Sequence, residues 1–188
     1  MDERLLYFES PIGFIEIRGV PDGITGVGFA DSPAARAAEE PYPCMAEAKR
    51  QLLEYFDGRR GEFDLPLIFS CTDFQRRVYG ALVKIPYGVT STYGEVAASV
   101  GQPTAVRAVG GANHANRHVI VIPCHRVVHK DGKSSGYGGG IRRKEFLLEL
   151  ERKGSFGMSV LAMQKHRRSA VRQQSSRTSL LGAVTAGD

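Results

Sequence analysis

The apolar residues of this chain change their spacing near Thr72, and no other feature narrows its possible folds as much. Before that point they come in short runs parted by turn formers. Leu5-Leu6-Tyr7-Phe8 meets Ser10-Pro11-Ile12-Gly13, Phe14-Ile15-Glu16-Ile17 alternates loosely, and Pro21-Asp22-Gly23 precedes an apolar stretch over 24–29. Such runs predict a three-stranded antiparallel meander. Residues 43–57 then set Met45, Ala48, Leu52, Tyr55 and Phe56 at helical spacing, with Gly58 as a stop, and 62–69 read as a last strand or a linker.

After Thr72 the pattern turns helical. Phe74, Val78, Leu82 and Ile85 share one face, ended by Pro86-Tyr87-Gly88. Residues 92–100 and 104–109 read as short helices joined through Gly101-Gln102-Pro103, the second opened by Pro103 and Thr104; that is a helix-turn-helix pattern. Val119-Ile120-Val121-Ile122 reads as a buried strand stopped by Pro123, the Gly-rich segment 130–140 suits a hairpin-like wing, and 141–152 return to helix with Phe146, Leu147 and Leu150 as the apolar face. The expected fold is α+β: one domain over 1–70, a winged helix-turn-helix domain over 71–154, and a basic tail over 155–188. That tail is poor in large apolar residues and rich in Ser, Arg and Gln.

Charge divides in the same way. Residues 1–73 hold 7 Lys/Arg against 14 Asp/Glu, residues 74–151 hold 11 against 5, and residues 152–188 hold 7 against 1. A basic module joined to an acidic one fits a protein of which only part meets a polyanion. No run of about twenty apolar residues predicts a membrane span. Asp2, Glu3 and Arg4 open the chain where a secretory leader would be basic and then apolar. The expectation is a cytoplasmic protein. Three cysteines, Cys44, Cys71 and Cys124, form no C-x-x-C pair and no zinc-ligand spacing, so at least one is a free thiol and no metal site is expected.

The sharpest chemical signal is Pro123-Cys124-His125-Arg126-Val127-Val128. A thiol becomes a strong nucleophile only when ionised, and an imidazole is a suitable partner for its proton. Neighbouring residues on a regular strand face opposite sides, so a Cys–His pair here needs a bend or a bridging water, and Pro123 offers the bend. Around this segment lie Tyr93, Arg107-Ala108-Val109-Gly110-Gly111-Ala112, Asn113-His114-Ala115-Asn116, Ser135-Gly136-Tyr137-Gly138-Gly139-Gly140 and Lys144-Glu145-Phe146-Leu147-Leu148. Together they resemble the O6-alkylguanine-DNA alkyltransferases, without gaps over 74–151; residues 1–70 fit in general layout.

The resemblance implies a small ribonuclease H-like α/β domain before the winged helix-turn-helix, and single-turnover transfer of an alkyl group from O6-alkylguanine in duplex DNA to Cys124. O4-alkylthymine is a second candidate substrate. It implies that His125 makes the thiolate through a water, that Glu151 polarises His125, that Tyr93 serves the departing guanine oxygen, and that Lys144 fixes the loop around Cys124. Arg107 would fill the stack left by a flipped nucleotide, with Gly110 and Gly111 beside it on a helix in the minor groove. Asn116 would be the hinge between that helix and the cysteine, Tyr137 would bind the base, and Gly138 with its neighbours would close over it. No cofactor and no metal are implied, and one chain suffices. Two departures stand out: Arg117 follows the hinge Asn where the family usually has Pro, and zinc ligands found in some relatives have no counterpart. The rival readings are a lesion-binding protein without transfer, a winged-helix transcription regulator, and a cysteine hydrolase. A regulator reading base edges has no need of Pro-Cys-His, and a hydrolase would want an oxyanion loop that the sequence does not display.

Overall fold

The computed structural model describes residues 2–32, 40–131 and 136–154; the expected tail at 155–188 and Ser135 lie outside them. Strands β1 (Arg4–Ser10), β2 (Gly13–Val20) and β3 (Gly23–Ala30) form the antiparallel meander, in sheet order β1-β2-β3. Its pairs, Phe8↔Ile15, Ile15↔Phe29 and Ile17↔Val27, keep Ile15 and Ile17 on the buried face while Glu16 and Arg18 point away. Helix α1 (Pro43–Phe56) covers that face with Met45, Ala48, Leu52, Tyr55 and Phe56, the five positions that the spacing picks out. Segment 62–69 is neither a full strand nor a free linker. It runs beside β3 through one parallel bridge, Ile24↔Leu67, with hydrogen bonds Ile24 N to Pro66 O and Ile68 N to Ile24 O, both 2.8 Å. That approach explains Gly23: a Cβ there would sit 2.3 Å from Pro66 O.

The second half is helical. Helix α2 (Asp73–Val83) opens with a capping box between Thr72 and Gln75, and α3 (Tyr93–Ser99) with one between Thr92 and Glu95; each box satisfies two otherwise orphaned amides. Helix α4 (Val106–His114) starts two residues later than Thr104, with Ala105 before it and no side-chain cap. The two-residue strands β4 (Ser91–Thr92) and β5 (Val127–Val128) pair in parallel. Lys130, Asp131 and residues 136–140 contain turns and no strand, and residues 132–135 of the expected wing lie outside the described residues.

Two expectations fail informatively. Residues 119–122 are not a strand: the β-branched run bends sharply instead, with Ile120 at φ 71. Helix α5 (Ile141–Lys153) turns Lys144, Leu147 and Glu151 inward and leaves Phe146 exposed, so two charged residues take places that a hydrophobic face would give to apolar ones. The site supplies the reason for both.

The core has two clusters. The first joins the meander and α1 to Ile120, Val121 and Leu147; the second joins α2, α3 and α4 to Ile122, Cys124 and Val127. Tyr137 packs against both, so the Cys124 turn lies where the clusters meet.

Candidate active site

Two tight turns deliver Cys124. In the first, Val121 N bonds Val119 O at 2.9 Å around Ile120, a γ-turn of the rarer positive-φ kind. For a β-branched residue such a conformation costs on the order of 1–3 kcal/mol. Its fully buried side chain in the first core cluster holds it there. In the second, Cys124 N bonds Ile122 O at 2.8 Å around Pro123, whose φ −80 and ψ 60 are those of an inverse γ-turn. Cys124–Arg126 then form one 3-10 turn. The bend expected at Pro123 is there, and a second precedes it.

Asn116 closes this arrangement. Its Nδ2 donates to Ile122 O at 2.9 Å and to Cys124 Sγ at 3.1 Å, and its Oδ1 accepts from His118 N at 2.9 Å. Lacking the usual Pro, residue 117 is tied by its backbone: Arg117 O accepts from Val27 N at 2.7 Å, and Val119 N donates back to Val27 O at 3.0 Å. The buried His118 ring stands 3.2 Å from Ile24 O and packs on Phe69. These bonds anchor the segment after Asn116 to β3.

His125 is fully buried with its Nε2 2.8 Å from Glu151 Oε1. Burial pushes its pKa down more than Glu151 pulls it up, and Arg126 and Lys144 push it down further. The contact is therefore a neutral imidazole donating to a carboxylate rather than an ion pair. With the proton on Nε2, Nδ1 is a bare acceptor, and it is buried with no hydrogen-bond partner. Burial raises the Glu151 carboxyl, but the hydrogen bond from His125 and the charge and hydrogen bonds of Arg126 outweigh it and bring the pKa down to about 2. Arg126 Nε and Nη2 reach Glu151 at 2.9 and 3.0 Å, its Nη1 donates to Ile85 O at 2.6 Å, and Gly88 N donates to Glu151 Oε2 at 3.0 Å. Lys144 Nζ donates to Val127 O at 2.6 Å, holding the strand that leaves the Cys124 turn.

Burial also pushes the Cys124 thiol up, and the Asn116 amide, the Lys144 charge and nearby backbone amides only partly offset this. The resting protein holds a thiol, so ionisation belongs to the reaction step. Tyr93 opens α3 with its ring 5.3 Å from His129; burial raises its phenol, and the nearness of Cys124 adds to that. Asn113 lies beside that phenol without a hydrogen bond of normal geometry, its amide buried and unpaired. Tyr137 packs edge-on against Phe29, and its buried hydroxyl is likewise unpaired. Its phenol is raised by burial and then by Cys124, and its ring packs on the core cluster that includes the cysteine. Unpaired buried polar atoms are costly, and Tyr137 brings one of them to that cluster.

Arg107, Gly110 and Gly111 lie on the opposite, outer side of α4, with Arg107 and Gly111 exposed. Neither glycine ends the helix, and a Cβ on either would meet nothing within 4 Å, so close packing inside the chain does not explain them. Gly138 is equally open. The constrained glycine is Gly139, where a Cβ would strike the Phe29 ring at 2.3 Å.

Sequence reasoning missed three side chains. Arg126 stands within the quoted motif, yet its burial against Glu151 has no signal of its own. Arg143 stacks 4.6 Å over Phe29 and donates to Ile12 O and Gly139 O, pinning the glycine turn to the β1–β2 turn. Tyr55, a core residue by its spacing, reaches Glu151. Among the described residues no group of His, Cys, Asp or Glu could hold a metal ion, no helix is long and apolar enough to cross a membrane, and the cysteines are unpaired.

A helix-turn-helix half that carries a buried cysteine followed by a histidine held on a carboxylate has the pattern of a nucleic-acid-binding protein with a nucleophile of its own. Comparison with known proteins makes this specific. Residues 73–153 match the family model for the 6-O-methylguanine DNA methyltransferase DNA binding domain, and residues 4–69 match that for its ribonuclease-like domain. A methylated-DNA–protein-cysteine methyltransferase of Methanosarcina acetivorans is 45% identical over 150 residues, covering 77% of this chain and 95% of its own length. That of Mycobacterium tuberculosis is 46% identical over 147 residues, covering 77% and 89%. The crystal structure of Mycobacterium tuberculosis O6-methylguanine methyltransferase aligns with TM-score 0.75 at 39% identity, covering 85% of this chain and 99% of that one. The Mycobacterium tuberculosis OGT crystallised in complex with DNA aligns with TM-score 0.73 at 42% identity, covering 80% and 94%. The chain belongs to the methylated-DNA–protein-cysteine methyltransferase family, whose members carry out DNA repair by direct transfer to a protein cysteine.

Proposed function

We propose that this protein takes an alkyl group from O6-alkylguanine in double-stranded DNA and keeps it on Cys124. The observation that carries the reading is a Cys124 Sγ held by Asn116 and followed in the chain by a buried His125 whose Nδ1 has no hydrogen-bond partner while Glu151 occupies Nε2. In the transfer step Sγ forms a bond to the alkyl carbon as the bond from that carbon to guanine O6 breaks. The thiol proton passes through a water to His125 Nδ1, and Tyr93 gives a proton to the departing base, regaining one afterwards through solvent from the imidazolium. Charge and atoms balance: a thiol and an alkylated base become a thioether and guanine. A thioether has no labile proton and no good leaving group, so one chain repairs one lesion.

The other assignments divide by location. Asn116 and Lys144 hold the cysteine turn, Tyr137 offers its unpaired hydroxyl to the flipped base, and Gly138 lies in the turn that closes over it. A base leaves its stack at a cost of a few kcal/mol, roughly, which is smaller for a damaged pair; Arg107 fills the gap. Gly110 and Gly111 let the DNA backbone approach a helix surface that the fold itself leaves open. We assign the boundaries as 1–70, 71–154 and 155–188, and place the protein in the cytoplasm as a monomer; its unpaired thiols suit a reducing compartment.

The test is the intact mass of the protein after mixing with a duplex bearing O6-methylguanine. Wild type gains one methyl and Cys124→Ala gains none. Unchanged wild-type mass with lesion binding retained would favour a binding protein instead.

A further inference from the structure

The first half of the chain places one polar atom inside the second half's chemistry. Tyr55 of α1 is fully buried, yet its Oη donates to Glu151 Oε1 at 2.8 Å and lies 3.5 Å from His125 Nε2. The same Oε1 accepts from His125. The Tyr55 ring packs on Phe56, Phe63 and Tyr87, contacts that a phenylalanine would make equally well. The hydroxyl is what needs explaining, since burying one is costly unless it is bonded, and a bond to a carboxylate is the strong kind.

We propose that Tyr55 is a positioning residue for the transfer: its hydroxyl shares Glu151 Oε1 with His125, so the carboxylate orients the imidazole without drawing a second proton onto it. This rests on the reading of His125 as proton acceptor. A carboxylate that faced His125 alone would favour imidazolium, and an imidazolium has no bare nitrogen for the thiol proton. The groups around His125 are Cys124 and Arg126 of its own turn, Lys144 and Glu151 of α5, and Tyr55 of α1, with Tyr87 behind Tyr55. Arg126 and Lys144 oppose a charged ring; Glu151 alone among the charged groups favours one. Arg126 reaches the same Oε1 at 3.0 Å and Gly88 donates to Oε2, but Tyr55 is the donor from the first half of the chain and abuts the His125 edge. The meander-and-α1 half thereby tunes the reaction rather than merely supporting it.

The test is the single-turnover rate of methyl transfer against pH for full-length wild type, Tyr55→Phe, Glu151→Gln, His125→Ala and the Tyr55→Phe/Glu151→Gln pair. Tyr55→Phe slows transfer up to about tenfold on the acid side and less at higher pH, because its acid limb moves up by about one pH unit. The double variant is no slower than Glu151→Gln, since the hydroxyl acts through the carboxylate. A fluorinated tyrosine at position 55, a stronger donor, moves the limb down instead, which keeps the test open if the phenylalanine variant folds poorly. Wild-type rate and limb in Tyr55→Phe, or multiplying losses in the pair, overturn the proposal while slow His125→Ala and Glu151→Gln leave the acceptor reading standing. Wild-type rates in His125→Ala and Glu151→Gln sink that reading and the proposal with it.

Discussion

The inward face of α5 and the outer face of α4 belong to the same half of the chain and are built by opposite rules. On α5, Lys144 and Glu151 are buried, and Lys144 Nζ and both Glu151 carboxylate oxygens have partners inside the molecule. On α4, Arg107 is exposed and Gly110 and Gly111 face open space. Folding alone accounts for the first face. Packing within the described residues does not account for the second, and the proposed function gives it DNA as partner. Under that proposal, chemistry is preorganised within the protein while recognition is completed by the nucleic acid.

Substitutions can break this contrast, beginning with the largest effect. Cys124→Ser removes transfer by about a thousandfold or more, because a buried hydroxyl ionises far less readily than a thiol; its melting temperature stays near wild type, and a large loss of stability would make Cys124 a packing residue. Glu151→Ala strands Arg126 and His125 together and lowers stability by about 3–5 kcal/mol in denaturant titration. A loss under about 1 kcal/mol would place the α5 network among ordinary surface pairs. Acid should act on the same network. His125 is depressed in the fold from 6.5 and Glu151 from 4.5 to about 2, so the unfolded chain binds more protons in both windows. Stability is then full at neutral pH, begins to fall below about 6.5 as the unfolded histidine protonates, and falls further between 4.5 and about 2. Melting curves of Glu151→Gln should show a smaller lower step, with Glu47 and Glu149, both also held at about 2, accounting for the remainder.

Arg107→Ala sits on the other side of the contrast. It leaves stability within about 0.5 kcal/mol and slows repair of duplex O6-methylguanine about tenfold, the worth of roughly 1.4 kcal/mol, with little change in reaction with free O6-benzylguanine. Equal losses on both substrates refute a stack-filling role. The smallest effect is the most diagnostic: Gly110→Ala should stabilise the protein by about 0.5–1 kcal/mol and weaken duplex binding in a titration. If it leaves DNA binding intact, the open glycine has another cause.

Much of the fold is legible in the order of the residues alone. The α1 face emerges whole because Met45, Ala48, Leu52, Tyr55 and Phe56 are apolar at an unambiguous spacing. The capping residues Thr72 and Thr92 mark helix starts with a local signal. What fails is reading burial from hydrophobicity at the site itself. Hydrophobicity puts Phe146 in the core and makes Lys144 and Glu151 candidates for surface ion pairs, but a buried cation and a buried anion are stable there because carbonyls, Arg126 and His125 satisfy them. No single-residue property announces partners that far away in sequence. The run Val119-Ile120-Val121-Ile122 has every local preference for a strand, and tertiary anchoring of Ile120 overrides it. Tyr55 illustrates the remaining limit: its ring obeys the helical pattern, while its hydroxyl answers to a residue 96 positions away.

The most direct measurement is peptide-level mass mapping after reaction with increasing amounts of an O6-methylguanine duplex. The account predicts methyl on the Cys124 peptide alone, rising to one per chain and stopping there. Methyl on Cys44 or Cys71, or lesions consumed beyond one equivalent, would contradict it.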